Sequence, residues 1–187
     1  TGIASAIRRA CSQADRALPT KAVVLGARAT ASSALAALGE LGIVTSTVAA
    51  RRFGGPGSVV AASSRLGVSI DQVLWSDRDA VLRAVSGADL VISTLPAGVA
   101  DPLAEHMTVR EGQILLDVVY SPRETALRSV FDRNGGIVAE GTDMLIFQAA
   151  AQVQLMTGRS PKPDVMRGAL EAELARRARA SEGGAAS

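Results

Sequence analysis

The sequence predicts an α/β fold, with a doubly wound parallel sheet of six strands, helices on both faces and a C-terminal helical pair. Two observations support this prediction. Short apolar runs alternate along the chain with stretches of helical periodicity, the order typical of βαβ units. Most of these runs are apolar throughout, as expected of parallel strands that helices cover on both faces.

Each predicted strand is a short, mostly aliphatic run that follows a turn or the end of a helix. In chain order the strands are predicted at residues 22–25, 45–49, 72–74, 90–93, 114–118 and 137–139. The loops after these strands therefore share the carboxyl edge of the sheet, where open α/β folds bind their ligands.

The predicted helices lie at residues 3–18, 29–41, 58–66, 78–85, 101–106, 125–134, 144–157 and 164–180. Glycine stands at several predicted helix ends, since it readily adopts the left-handed conformation there. These stop signals are Gly42, Gly67, Gly87 and Gly135. Gly158, Pro161 and Pro163 separate the last two helices.

One domain is predicted over residues 1–180, because 187 residues suffice for one full core but would be cramped as two domains. It comprises an entry helix at 1–19, the sheet and crossover helices at 20–140, and C-terminal helices at 141–180. Residues 181–187 have little to bury and are predicted to form a disordered tail.

Composition argues against several classes of function. No apolar run reaches the roughly 18 residues of a membrane span, so a soluble protein without a membrane partner is expected. A net charge of +2 and 3% aromatic residues do not suggest a nucleic-acid partner. No metal motif appears. The single Cys11 forbids an internal disulfide, and a cytoplasmic location is expected.

The loop after the first strand has the position of a dinucleotide-binding turn, where helix N–H groups meet a pyrophosphate. It contains Gly26, Ala27, Arg28, Ala29, Thr30 and Ala31. Gly26 fits the tight turn and Ala31 fits close helix packing, but Arg28 stands where glycine lets phosphates approach the backbone. Either its guanidinium pairs with a phosphate, or its side chain blocks the groove.

The end of the second strand favours NADP over NAD. Arg51 and Arg52 stand where an NAD-binding fold places Asp or Glu for the ribose hydroxyls. Arginine pairs with a 2′-phosphate, and no carboxylate is present there to repel it. The alternative is that both arginines are solvated surface residues.

The loop after the fourth strand adds further candidate contacts. Thr94, Leu95 and Pro96 form a strand-to-loop junction at the ligand-binding edge. An ordinary Pro-Gly turn ending at Gly98 is the alternative.

Two motifs in the second half of the chain resemble the C-terminal part of a shikimate dehydrogenase. They are Asp117-x-x-Tyr120-x-Pro122-x-x-Thr125 and Gly141-x-x-Met144-Leu145-x-x-Gln148, followed by a helix that ends in Thr157-Gly158. Their order and spacing make the match fairly specific. The resemblance covers about residues 1–175 and implies a Rossmann-like, NADP-binding fold.

The resemblance also implies roles for single residues. It places Thr94, Leu95, Pro96, Val118, Gly141 and Met144 on the cofactor side, with Tyr120 and Gln148 at the substrate. The family pattern of the first loop is G-x-G-G, from which Arg28 and Ala29 depart. Arg51 matches the arginine of the family's N-R-T/S motif, whereas Ala50 and Arg52 do not. A Met–Leu stripe at helical spacing is also typical of a core, and an isolated Gln of a solvent face.

The resemblance covers only the second half of a family member. The catalytic lysine–aspartate pair belongs to an N-terminal substrate domain that this chain lacks, so no catalytic residue is predicted here. The full enzyme is expected to interconvert 3-dehydroshikimate and shikimate by hydride transfer with NADP, while this chain alone is expected to be inactive. A homodimer is compatible with the sequence. A non-catalytic NADP-responsive module and a dehydrogenase of quinate or a related hydroxy acid stay open as alternatives.

Overall fold

The structure is a computed structural model that describes residues 1–55, 57–119 and 124–184. Backbone contacts divide the chain into two compact units, Thr1–Met144 and Leu145–Ser187. The first unit contains the sheet and its crossover helices. The boundary between the units falls within the predicted C-terminal helical part.

Six strands form one parallel sheet in the order β3-β2-β1-β4-β5-β6. They are β1 (Ala22–Leu25), β2 (Thr45–Ala50), β3 (Ser69–Leu74), β4 (Leu90–Ser93), β5 (Ile114–Asp117) and β6 (Ile137–Ala139). This is the doubly wound strand order that binds a dinucleotide where the order reverses, between β1 and β4. The predicted α/β fold class is confirmed.

The described ranges contain eight helices. They are α1 (Gly2–Gln13), α2 (Ala29–Glu40), α3 (Val59–Leu66), α4 (Arg78–Gly87), α5 (Asp101–Ala104), α6 (Ala126–Arg133), α7 (Gly141–Thr157) and α8 (Pro163–Gly184). Side chains of Ser58, Asp77 and Thr125 cap the N-termini of α3, α4 and α6. Ser58 and Thr125 were predicted inside their helices. They are capping residues instead, because their hydroxyl oxygens accept hydrogen bonds from free N–H groups of the first turn.

Strand β3 is longer than predicted. All its residues pair with β2, from Thr45 with Ser69 to Ala50 with Leu74. The prediction began at residue 72 because Ser69 and Asp71 are polar. An edge strand such as β3 tolerates polar residues, since it is paired on one side only.

The first helix ends earlier than predicted, at Gln13 instead of residue 18. Asp15 adopts a left-handed conformation with φ of 50°. The N–H of Arg16 then donates to the Cys11 carbonyl at 2.9 Å, which is the six-to-one hydrogen bond of a Schellman helix end. Asp is among the few residues that tolerate this conformation, so the helix ends without a glycine signal.

Three further helix boundaries differ from the prediction. Gly87 is the last residue of α4, and Ala88 in extended conformation follows it, so Gly87 is not a left-handed stop. Helix α7 begins three residues early, at Gly141. Helix α8 runs past residue 180 to Gly184, into the predicted tail. Residues 185–187 of that tail lie outside the described part of the chain.

The core of the first unit lies on both faces of the sheet. On one face, strand residues such as Val23, Val91 and Leu115 pack with Val81 of α4 and Phe131 of α6. Alternate strand residues point to the opposite face. There the helices bury apolar residues that include Ile7, Leu35 and Leu38. Coverage of both faces explains why β1, β4 and β5 are apolar, apart from Ser93 and Asp117 at the ends of β4 and β5.

Candidate functional site

The loops that follow β1 and β4 meet at the carboxyl edge of the sheet. Leu25 and Ser93, the last residues of these strands, are register partners. The N–H of Gly26 donates to the Ala49 carbonyl at 2.8 Å, and the N–H of Thr94 donates to the Leu25 carbonyl at 2.9 Å. These hydrogen bonds hold the two loops side by side at the point where the strand order reverses.

Gly26 is required by its own conformation and by a close neighbour. Its φ is +111°, and a Cβ atom there would lie 2.3 Å from Oγ1 of Thr94. That hydroxyl donates a hydrogen bond to the Leu25 carbonyl at 2.9 Å. Any side chain at position 26 would therefore displace the Thr94 hydroxyl and strain the backbone.

The N-terminus of α2 follows the first of these loops. The helix begins at Ala29, its N-cap Arg28 makes no side-chain capping bond, and its first turn has no acidic residue. The N–H groups of Ala29, Thr30 and Ala31 have no helical partner, because the first N–H groups of a helix never do. Ala31 is fully buried and packs closely, as the sequence predicted. The first turn therefore offers free donors to an anion.

Three arginines follow strands β1 and β2 at this edge. Arg28, Arg51 and Arg52 are all exposed. Among the residues that the structure describes, none of the three side chains makes a hydrogen bond or an ion pair. Trp75, just after β3, donates its backbone N–H to Ala50 at 2.9 Å, which fixes the end of β2 beside Arg51. This side of the site has positive charges that the described structure does not neutralise.

The other side of the site is built around the buried Asp117. Its carboxylate accepts hydrogen bonds from the Val119 N–H at 3.2 Å and from the Thr125 hydroxyl at 2.9 Å. The Val118 N–H donates to the Ser93 carbonyl at 3.0 Å. Burial raises the pKa of the Asp117 carboxyl, against the lowering effect of its hydrogen bonds from Val119, Thr125 and Ser93. Asp117 therefore joins the end of β5 to the start of α6.

Gly141, the first residue of α7, lies close to the end of β5. A Cβ atom at position 141 would lie 2.8 Å from the Asp117 backbone oxygen. Glu140, the preceding residue, accepts two hydrogen bonds from the Arg128 guanidinium at 3.0 and 2.8 Å. This bidentate pair ties α6 to the residue just before α7.

Two small cavities share a wall formed by Asp117, Val119 and Thr125. One continues along Leu95, Pro96 and Gly98 in the loop after β4. The other continues along Arg128, Glu140, Gly141 and Thr142. The structure thus brings the predicted residues Leu95, Pro96 and Gly141 around one connected surface at the carboxyl edge.

Three predicted site residues remain: Met144, Gln148 and Tyr120. Met144 in α7 is buried, with 8% of its surface exposed. Gln148 is exposed and belongs to the second unit. Tyr120 lies outside the described residues. The predicted substrate contacts of Tyr120 and Gln148, and the predicted cofactor contact of Met144, stay predictions.

Sequence reasoning missed the side-chain roles of Asp117, Thr125, Arg128 and Glu140. Asp117 and Thr125 were noted only as letters of a motif. Their hydrogen bond joins residues eight positions apart, and a capping threonine ahead of an amphipathic stretch was the available signal. The Arg128–Glu140 pair joins α6 to the residue after β6, and no local pattern predicts it.

In the described ranges, no helix has the length and apolar character needed to cross a membrane. Within these same ranges, no group of three or more His, Cys, Asp or Glu residues is arranged to hold a metal ion.

Comparison with known proteins identifies relatives of the chain. The model of the Shikimate 5'-dehydrogenase C-terminal domain matches residues 141–171. The shikimate dehydrogenase (NADP(+)) of Moorella thermoacetica is 34% identical over 152 residues, which are 78% of this chain and 51% of that protein.

Solved structures show the same similarity. Mycobacterium tuberculosis shikimate dehydrogenase superposes with a TM-score of 0.76 at 32% identity, covering 90% of this chain and 62% of that one. Thermus thermophilus shikimate 5-dehydrogenase, solved with NADP(H) and shikimate, superposes with a TM-score of 0.67 at 26% identity, covering 91% of this chain and 62% of that one. The chain spans less than two thirds of the length of these relatives.

Proposed function

We propose that this chain, which belongs to the shikimate dehydrogenase family and corresponds to its C-terminal domain, is the NADP-binding part of a shikimate 5-dehydrogenase. The complete enzyme interconverts 3-dehydroshikimate and shikimate by hydride transfer. The observation that carries the proposal is the sheet edge between β1 and β4, where free helix donors and unpaired arginines occupy the position of a dinucleotide site.

The pyrophosphate of NADP is assigned to the N-terminus of α2. Gly26 and Ala27 form the turn, and Ala29, Thr30 and Ala31 offer N–H groups that nothing in the helix accepts. The helix dipole favours an anion at this end. A diphosphate therefore has hydrogen-bond donors and a favourable field here, which supports the assignment.

Arg51 and Arg52 are assigned to the 2′-phosphate. Both are exposed directly after β2, where an NAD-selective fold places an acidic residue. A guanidinium binds a phosphate with two parallel hydrogen bonds, whereas it gains little from the ribose diol of NAD. The donor set at this edge therefore favours NADP.

The nicotinamide half is assigned to the wall formed by Thr94, Leu95, Pro96, Val118 and Gly141, with Met144 behind it. Bound there, NADP supplies or accepts the hydride. The chain's own residues hold the wall in place: Thr94 donates to Leu25, and the N–H of Val118 donates to Ser93. Tyr120 and Gln148 are assigned to the substrate.

Hydride transfer to a ketone also needs a proton donor for the oxygen. Asp117 is the buried acid of this wall, but its two carboxylate oxygens already accept hydrogen bonds from Val119 and Thr125. It is occupied in holding the loop after β5 and is a poor proton donor for a substrate. The proposal therefore assigns proton transfer to a lysine–aspartate pair in a separate substrate domain, and this chain alone does not turn over.

Calorimetric titration of the chain with NADPH and NADH tests the cofactor assignment. We expect tighter binding of NADPH. Arg51→Gln should weaken NADPH about ten- to a hundredfold, the loss of a charged hydrogen bond, and leave NADH unchanged. Arg65→Gln is the matched control, because Arg65 is an exposed arginine in the last turn of α3. Equal affinities for NADPH and NADH would contradict the 2′-phosphate assignment.

A second measurement tests the enzyme assignment. The substrate domain of a relative, added as a separate chain or fused upstream, should restore NADP-dependent oxidation of shikimate. Quinate serves as the competing substrate. NADPH binding without turnover in the fused protein would favour a non-catalytic NADP-responsive module.

The remaining proposals concern the setting of the protein. We assign the chain to the cytoplasm, and a homodimer is proposed for the complete enzyme. Light scattering on the fused protein measures the second point directly, and a monomer mass at micromolar concentration would reject it.

A further inference from the structure

We propose that the Arg28 side chain supplies the diphosphate contact that a glycine-rich loop makes through its backbone. This role rests on the NADP site proposed above. It makes Arg28 a cofactor-binding residue that departs from the usual glycine pattern, and not an obstruction in the groove.

The backbone of Arg28 accommodates a side chain without strain. Its φ is −94° and its ψ is −169°, an extended conformation that any L-residue adopts. Gly26, two residues earlier, has a φ of +111°. The turn therefore needs glycine at position 26 and does not need it at position 28, which removes the backbone cost of placing arginine there.

The environment of Arg28 does not explain a cation at this position. The helix dipole disfavours positive charge at a helix N-terminus. Helix α2 has no acidic residue in its first turn to offset this effect. Among the described residues, the Arg28 guanidinium has no hydrogen-bond or ion-pair partner. An anion bound at the N-terminus would reverse the sign of this interaction, because it pairs with the guanidinium and with the helix N–H groups together.

The exposure of Arg28 favours a side chain that pairs with a phosphate over one that blocks the cofactor groove. A side chain that fills a groove is packed against its walls, whereas Arg28 is exposed and unpaired. Its long side chain is free to place the guanidinium beside a phosphate that the Cβ atom keeps away from the backbone. The ligand chemistry that fits is a dinucleotide diphosphate next to an open helix N-terminus.

The test compares Arg28→Gln and Arg28→Gly in this chain, with Arg65→Gln as the control. The ligands are NADPH and adenosine 2′-monophosphate, which carries the 2′-phosphate but no diphosphate. We expect Arg28→Gln to weaken NADPH about ten- to a hundredfold and to leave adenosine 2′-monophosphate unchanged. Its NADPH affinity should also fall less with added salt than that of the unchanged protein.

Thermal unfolding adds a readout that does not depend on cofactor affinity. Without ligand, Arg28→Gln should melt at a slightly higher temperature than the unchanged protein, because it removes a cation from the helix N-terminus. With saturating pyrophosphate the order should reverse. Arg65→Gln should show neither effect.

Three outcomes would overturn the inference. Tighter NADPH binding by Arg28→Gly than by the unchanged protein would show that arginine obstructs the groove. Equal NADPH affinity of Arg28→Gln and the unchanged protein would show that the side chain contributes nothing, while the NADP site itself stands. If the unchanged protein binds neither NADPH nor adenosine 2′-monophosphate, the proposed function fails, and the role of Arg28 fails with it.

Discussion

Replacing Gly26 with alanine tests how the loops after β1 and β4 pack against each other. The backbone has a φ of +111°, and the new Cβ atom would lie 2.3 Å from the Thr94 hydroxyl. An alanine in a positive-φ conformation costs about 1–2 kcal/mol. Rotating the Thr94 hydroxyl away breaks its hydrogen bond to Leu25, which costs about 1 kcal/mol. Gly26→Ala should therefore lower the free energy of unfolding by about 2–3 kcal/mol.

Urea unfolding measures this loss, and Gly42→Ala is the matched control. Gly42 also has a positive φ, +83°, but a Cβ atom there meets nothing within 4 Å. Gly42→Ala should therefore lower the free energy of unfolding only by the conformational cost of about 1–2 kcal/mol. The difference between the two variants isolates the contact with Thr94.

A double-mutant cycle with Thr94→Ala sharpens the test. Thr94→Ala removes the hydroxyl and makes room for the new methyl group, so the double variant should be less destabilised than the sum of the single variants. We expect a coupling of about 1 kcal/mol. Additivity within about 0.5 kcal/mol would refute the argument that the Thr94 hydroxyl demands glycine at position 26.

Two further predictions concern the wall around Asp117. Burial raises the folded-state pKa of this carboxyl, so the folded chain holds the proton more tightly than the unfolded chain. The contribution of Asp117 to the free energy of unfolding is therefore full below about 3.9, the unfolded pKa, and falls as pH rises through the higher folded pKa. Urea unfolding at a series of pH values measures this dependence on pH. Asp117→Asn should lose it, and an unchanged dependence in the variant would contradict the prediction. Gly141→Ala should cost about 1–3 kcal/mol, because its Cβ would lie 2.8 Å from the Asp117 backbone oxygen. Gly168→Ala in α8, where nothing lies within 4 Å, should instead be neutral or stabilising by up to about 1 kcal/mol.

The parts of the fold that the sequence predicted well are those that local patterns determine. Strands β1, β4 and β6 coincide with their predicted bounds, because short apolar runs between polar turns define them. Strand β3 was predicted short, because half of it is polar and is held by pairing with β2. The end of α1 was predicted late, because it depends on a left-handed Asp15 that no residue pattern marks. Pairing partners and single backbone conformations are the information that one sequence does not display.

The same distinction runs through the candidate site. Gly26, Arg28 and Arg51 were identified from their positions after strands, which follow from chain order alone. The Asp117–Thr125 and Arg128–Glu140 interactions were missed, because each joins side chains that come together only when β5, α6 and β6 are assembled. The sequence therefore proposes the loops of the candidate site, and the structure adds the contacts that hold those loops in place.

The two sides of the site differ in what the described structure leaves unpaired. Around Asp117, carboxylate, hydroxyl and guanidinium groups bond to one another, so that side supports a surface and has little charge to offer a ligand. At the N-terminus of α2 and after β2, helix N–H groups and three exposed arginine side chains have no partner among the described residues. Free donors at a helix end and uncompensated cations gain most from a multiply charged anion. The unpaired donors and cations therefore lie on the side proposed for the phosphates. For this reason substitutions at Arg28 and Arg51 should change affinity, while those at Gly26, Asp117 and Gly141 should change stability.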